Sequence, residues 1–182
     1  LAGTPPNFAF SCRHKNWHWA AGVDSAPSTL YYSAQLDPED WTGGTSGSIS
    51  IDPNDGDHIT ALASYKNELW VFKGPYKGSI HRITGNSNTG SNAWARTKFI
   101  DGLGCAGPNC VFQFSDDLGF IWSDGSIRSL KATAAFGDFS EAALSRPLNR
   151  WLSDRVNKTN LDRATAAVDE GNGYVAFALP ID

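Results

Sequence analysis

Four short apolar stretches of this chain can be laid over one another: Trp17-His18-Trp19-Ala20, Leu69-Trp70-Val71-Phe72, Phe120-Ile121-Trp122-Ser123 and Tyr174-Val175-Ala176-Phe177. Their first residues lie 52, 51 and 54 positions apart, and the first three are followed at the same offset by Gly22, Gly74 and Gly125. The fourth has Leu179 near that point and lacks the glycine. A period of this length belongs to a supersecondary unit that cannot bury its faces alone and stacks on copies of itself.

Each stretch follows a turn and an earlier strand-like run. In the second unit 59–65 leads through Lys66-Asn67 into 68–72. In the third, 111–114 leads through 115–119 into 119–123, and in the fourth 163–169 leads through Glu170-Gly171-Asn172-Gly173 into 173–179. Gly, Asn and Asp supply the positive φ angles of tight hairpins. A third strand is expected at 29–33, 79–83 and 126–130; Ser79-Ile80-His81-Arg82-Ile83 and Ser126-Ile127-Arg128-Ser129-Leu130 alternate polar and apolar, as a strand with one buried face does.

The central strands behave differently. Leu69 and Val71 point to one face and Trp70 and Phe72 to the other, yet all four are apolar. A strand apolar on both faces must be covered on both. Stacking like sheets side by side does this, and a β-propeller does it radially. A two-layer sandwich also uses short strands but gives no reason for the repeat. Seven Trp, 12% aromatics, 18 Gly and 9 Pro fit many short strands and turns. The expectation is therefore an all-β chain, 1–182 forming one antiparallel β-propeller-like region of four partial blades. Trp19, Val71, Trp122 and Ala176 are expected at equivalent sites, with Trp70, Ile121 and Val175 buried on the opposite face. The fourth unit has two strands before Asp182 and the chain, without Met, starts at Leu1; the expectation is a part of a larger propeller.

Two interruptions stand out. Asp37-Pro38-Glu39-Asp40-Trp41 reads as one helical turn, with Asp37 as N-cap and Pro38 at the first helical position. Residues 139–156 are the one helical insertion expected, with Leu148, Trp151, Leu152 and Val156 on one face and Pro147 breaking the segment.

The chain carries a net charge of −4 with no run of more than two basic neighbours, which disfavours sequence-specific nucleic-acid binding. No stretch reaches the roughly 18 apolar residues of a membrane span, and no signal peptide is visible. Of three cysteines, Cys105 and Cys110 share a Gly/Pro-rich loop; a loop disulfide is one reading, and three reduced thiols are the reading the odd count favours. Zinc is disfavoured, since no second Cys or His pair stands at ligand spacing. Asp52, Asp55 and Asp57 suggest calcium only loosely, without the Glu of an EF-hand loop, and a solvated turn is expected. None of His14, His18, His58 and His81 stands in a metalloprotease pattern, and His18, between two tryptophans, is expected to be packed or at an edge. No nucleophile elbow, phosphate loop or dinucleotide fingerprint appears. No catalytic residue, no cofactor and no metal ligand is therefore assigned.

Ser115-Asp116-Asp117-Leu118-Gly119-Phe120-Ile121-Trp122 matches the Asp-box pattern S-x-D-x-G-x-x-W and so resembles sialidase-like propellers, in which the box is structural. A broader resemblance runs along most of the chain. Arg13 to Gly22, Leu30-Tyr31-Tyr32-Ser33 with Leu36 to Trp41, Asp57 to Leu62 with Leu69 to Lys73, Ser79 to Gly85, and Gly119 to Leu130 are similar to phrases of the propeller-type virion proteins of tailed bacteriophages, namely tail nozzle, tail-hub and packaged-DNA stabilisation proteins. The resemblance implies a non-enzymatic part of the phage tail, made in the host cytoplasm and located in the virion. Its implied partners are further copies in a ring and other tail proteins, with DNA passing through without sequence-specific binding. The alternative carried by the Asp-box is a sialidase-like or carbohydrate-binding propeller.

Overall fold

The computed structural model describes residues 3–136 and 143–181. They are mostly antiparallel β, in four small sheets that follow one another along the chain. The first holds β1 (Phe10–His14), β2 (Trp17–Ala21), β3 (Thr29–Tyr32) and β4 (Gly47–Ser50) in that order. The second holds β5 (His58–Tyr65), β6 (Glu68–Gly74), β7 (Ser79–Thr84) and β8 (Ala95–Asp101), again in chain order. Next come β9 (Val111–Phe114), β10 (Asp117–Ile121) and β11 (Ile127–Ser129), then the hairpin of β12 (Thr165–Asp169) and β13 (Tyr174–Ala178). The opening strands neighbour one another in sequence: β1 lies by β5, β5 by β9 and β9 by β12.

The hairpin turns set the register. His14 pairs with Trp17, Tyr65 with Glu68 and Phe114 with Asp117, each across two residues. Lys15, Lys66, Asn67 and Ser115 adopt positive φ in these turns. Aligned on the turns, Trp19 corresponds to Trp70 and to Gly119. This corrects the expected equivalence of Trp19 with Val71 by one residue, and a one-residue slip exchanges the two faces of a strand.

The double-sided central strand is present. Trp17, Trp19 and Ala21 of β2 pack with Leu69 and Val71 of β6 between the first two sheets. Trp70 and Phe72 face the other way, where Phe72 meets Phe120 of β10 with ring centroids 5.4 Å apart. Farther on, Phe112 of β9 meets Phe177 of β13 at 5.2 Å. Gly119 is needed here because a Cβ on it would stand 2.3 Å from the Phe112 ring. Trp122 is buried just beyond β10. In the last sheet Val175 is only half-buried and Ala176 is exposed, which corrects the expectation of burial; no described element covers that far face.

Several other expectations are corrected. The Asp37 segment is no helical turn: Ala34 bridges Asp37, Leu36 sits at φ 63, and the Asp37 carboxylate accepts the Glu39 N–H at 3.1 Å, an Asx turn. The strand expected at 126–130 ends at Ser129, whose hydroxyl accepts the Ala132 N–H and caps α1 (Leu130–Phe136). Of the 139–156 insertion, 139–142 lie outside the described residues. Pro147 lies in a 3-10 turn at Arg146–Leu148, and α2 covers Asn149–Arg155. Leu152 and Val156 are buried while Leu148 and Trp151 are exposed, because α2 is only two turns long and begins after Leu148. A further 3-10 segment, Lys158–Arg163, is capped by the Asn157 side chain, and β4 and β8 add outer strands not foreseen.

Candidate functional site

The densest polar cluster lies where the β4–β5 connection meets the second sheet. Lys73 is on the same face of β6 as Leu69 and Val71, so its side chain crosses toward the first sheet and is fully buried. Its ammonium donates to the Asp55 carboxylate at 2.7 Å, to the Ile51 and Asp52 carbonyls at 2.8 Å each, and to the Ser28 hydroxyl at 3.2 Å. Left-handed φ at Asp52, Asn54 and Gly56 curls the loop around it. The lysine thus occupies the position a metal cation would take in a carbonyl-and-carboxylate loop.

The three aspartates are not a solvated turn. Asp57 is buried, its carboxylate accepting the N–H groups of Tyr76 at 2.8 Å, Lys77 at 3.0 Å and Gly78 at 2.7 Å. Asp52 pairs with Arg96 and Lys98 of β8, which hold its carboxyl well below the usual range. Burial opposes ionisation of Asp55, but the Lys73 hydrogen bond and the Asp57 N–H outweigh it and its pKa is lowered. Among the described residues no group of three or more His, Cys, Asp or Glu side chains could hold a metal ion.

Ser79, His81 and Asp52 stand together but cannot act as a nucleophilic triad. The Ser79 hydroxyl is 2.9 Å from His81 Nε2, and the Asp52 carboxylate is 3.9 Å from the same nitrogen, while Nδ1 has no protein partner. In a working triad the carboxylate orients the opposite ring nitrogen. Ser79 and His81 are also buried, and burial lowers the His81 pKa to about 4 against the pull of Asp52.

The Asp-box residues work within the third sheet. The Asp117 carboxylate accepts the Leu118 N–H at 2.7 Å and the Lys131 N–H at 3.2 Å, and bonds the Ser129 hydroxyl, joining the β10 start to α1. Asp117 lies in β10 rather than in the expected five-residue turn. Trp122 packs against Gly74, Gly78 and Gly104. Cys105 and Cys110 are free buried thiols: Cys105 donates to the Gly107 carbonyl at 3.3 Å and Cys110 to the Ala164 carbonyl at 3.3 Å. Burial raises the Cys105 pKa well above its ordinary value, and Cys12 is pushed up to about 12 for the same reason.

Of the histidines, His14 Nδ1 bonds the Ser64 hydroxyl at 2.8 Å and links the first two sheets. His18 is half-buried, its Nε2 3.0 Å from the Ser11 hydroxyl. His58 is exposed at the start of β5. There a cleft of about 500 Å³, with Asp24, Pro27, Thr60 and Gly107 in its wall, adjoins one of about 470 Å³ that takes in Tyr76, Ser123 and Lys158. His58, Ala106 and Asp162 line both. Sequence reading missed Lys73, Lys158 and Asp162; only Arg96 and Lys98 left a signal, as basic residues at strand spacing. No described helix is long and apolar enough to cross a membrane. No protein-family model matches the chain, and no curated protein matches it.

Proposed function

We propose that this chain is a structural component of a bacteriophage tail, its four sheets forming consecutive blades of a β-propeller and its copies assembling around a DNA conduit. The observation that carries the reading is the succession of sheets whose opening strands neighbour one another while both faces of β6 are buried against flanking sheets. That is how blades follow one another around an axis. Most of the phage-like phrases fall on strands of the first three sheets, with Leu36 to Trp41 on a loop. The virion role rests on that resemblance, because a fold alone does not define a role.

Two further features support it. The charged and nucleophilic groups of the Asp52, Asp117 and cysteine clusters are taken up by bonds that hold sheets and loops together, as in a mechanical part. Leu148, Trp151 and Tyr174 are large apolar residues left more than half exposed, as on surfaces that meet other chains. A net charge of −4 suits a conduit that DNA passes without being gripped.

The test is to express residues 1–182, determine the oligomeric state by ultracentrifugation and electron microscopy, and assay sialoside and other glycoside hydrolysis. The expected result is self-association into ring-like or arc-like particles without turnover. A monomer that hydrolyses a glycoside, and loses this on replacement of one carboxylate, overturns the proposal in favour of an enzyme.

A further inference from the structure

On the outer face of the first sheet, away from the second, two clefts of about 540 and 460 Å³ adjoin, sharing His18 and Pro38 in their walls. The larger is walled by aromatic rings: Trp41 lies 5.8 Å from Phe8, tilted at 35°, and His18 stands edge-on to Trp41 at 6.1 Å and 89°. The smaller is bordered by Arg13, Asn16, Leu36 and Asp37. Leu36 is held at φ 63 with three-quarters of its surface exposed.

The polar groups facing the clefts are available. Arg13 is exposed and its guanidinium makes no hydrogen bond or ion pair with the described residues, and the Glu39 carboxylate makes none either. The loop backbone is different. The Ala34 N–H is taken by the Asp40 carbonyl, Leu36 N–H by the Asn16 carbonyl, Gln35 N–H by the Thr45 hydroxyl, and Thr42 and Gly43 N–H by the Asp40 carboxylate. The indole N–H of Trp41 donates to the Pro38 carbonyl at 3.0 Å. The loop is therefore organised before any ligand arrives, and what it offers is side chains and ring faces rather than backbone. A peptide strand needs free backbone groups along an edge. A nucleic acid needs cations, and here Asp37 and Glu39 outnumber Arg13.

We infer that these adjoining clefts bind a short neutral oligosaccharide, one sugar against the Phe8–Trp41 wall and a neighbouring one between Arg13, Asn16 and Asp37. A pyranose presents an apolar C–H face that packs on an aromatic ring, and hydroxyls that give and take hydrogen bonds at its rim. Guanidinium, amide and carboxylate groups beside aromatic walls match both. The two carboxylates disfavour an acidic sugar such as a sialoside. The inference does not rest on the virion role and requires no hydrolysis; it requires that no neighbouring blade cover this face of the first sheet.

The test uses the 182-residue chain with lactose, maltotriose, cellotriose, chitotriose and 3′-sialyllactose, read by saturation-transfer NMR and calorimetry, with circular dichroism checking the fold. At least one neutral sugar should bind with a Kd in the millimolar range or tighter. Trp41→Ala and Arg13→Ala should each weaken that binding at least tenfold, and Trp41→Phe should retain most of it. The inference is overturned if no neutral sugar in the set binds, if Trp41→Ala and Arg13→Ala fold and bind undiminished, or if sialyllactose binds as tightly as lactose. Glycosidase activity is assayed separately, so failure here leaves the structural reading standing.

Discussion

The Lys73 ammonium, fully buried on β6, sits 2.7 Å from the Asp55 carboxylate in the loop that joins the first sheet to the second. A cation at a sheet interface is not in itself a large source of stability, because desolvating it offsets most of the attraction. Its effect is to select one loop conformation, in which the Ile51 and Asp52 carbonyls turn inward.

Replacing Lys73 with Met keeps the bulk and removes the donor. It leaves the buried Ile51 carbonyl, the half-buried Asp52 carbonyl and the partly buried Asp55 carboxylate without their partner, at an expected cost of about 2–4 kcal/mol. Asp55→Asn should cost less, and the double variant should show a coupling of about 1 kcal/mol or more. Urea unfolding of the four proteins measures this. Additive effects would mean that the pair is incidental.

Trp122, just beyond β10, is buried against Gly74, Gly78 and Gly104. Trp122→Ala should lose about 3–5 kcal/mol, typical of deleting a buried aromatic. Gly104→Ala should be damaging too: its Cβ would fall 1.7 Å from the Lys73 carbonyl oxygen, a backbone overlap that side-chain motion cannot relieve. Thermal unfolding of both variants is the measurement. A Gly104→Ala protein as stable as the parent would show that the two segments are not so close.

Much of this core was legible in the sequence, because Leu69 to Phe72 is apolar on both faces and its turn is marked by Lys66-Asn67. What was not legible has physical causes. Outer strands β4 and β8 bury little, so Gly47–Ser50 and Ala95–Asp101 carry almost no apolar pattern. The one-residue offset between Trp19 and Val71 arose from aligning side chains rather than turns. α1 had a readable N-cap in Ser129 before an Ala-containing run, but the alternation of the preceding residues masked it. For the candidate sites, Asp57 looked like solvent-exposed turn chemistry because its partners, the N–H groups of Tyr76 to Gly78, are about twenty residues away. Trp41 was visible, yet its meeting with Phe8 and His18 depends on tertiary structure.

Stability should depend on pH through two histidines. Burial, with Lys15 adding repulsion, lowers the His14 pKa to about 4, and burial lowers that of His81 to about 4 although Asp52 draws it upward. The unfolded chain titrates near 6.5, so between about pH 6.5 and 4 it binds protons that the folded chain does not. The histidine contribution is therefore complete above about pH 6.5 and is lost as pH falls toward 4, on the order of 3 kcal/mol for each group. Urea midpoints between pH 7.5 and 4.5 should fall steadily, and His81→Asn should flatten the profile. A midpoint independent of pH over this window would contradict the buried neutral state of both rings.

The final prediction concerns the last hairpin. Among the described residues β13 pairs only with β12, so its other edge carries unpaired N–H and C=O groups, and Tyr174, Ala176 and Ala178 stand exposed on one of its faces. An unpaired edge next to an apolar face is a template for another strand or sheet. The 182-residue chain should therefore associate with itself increasingly with concentration, and lose soluble material on storage. Ala176→Lys places a charge in the middle of that face without touching the side that packs on Phe112 through Phe177. It should reduce the self-association while leaving the circular dichroism spectrum and thermal midpoint nearly unchanged. Sedimentation velocity on both proteins across a tenfold concentration range decides the matter. If the parent chain stays monomeric throughout, or if Ala176→Lys associates as strongly as the parent, this face is not where copies meet. Exposed Leu148 and Trp151 on the helical insertion then become the next surface to alter.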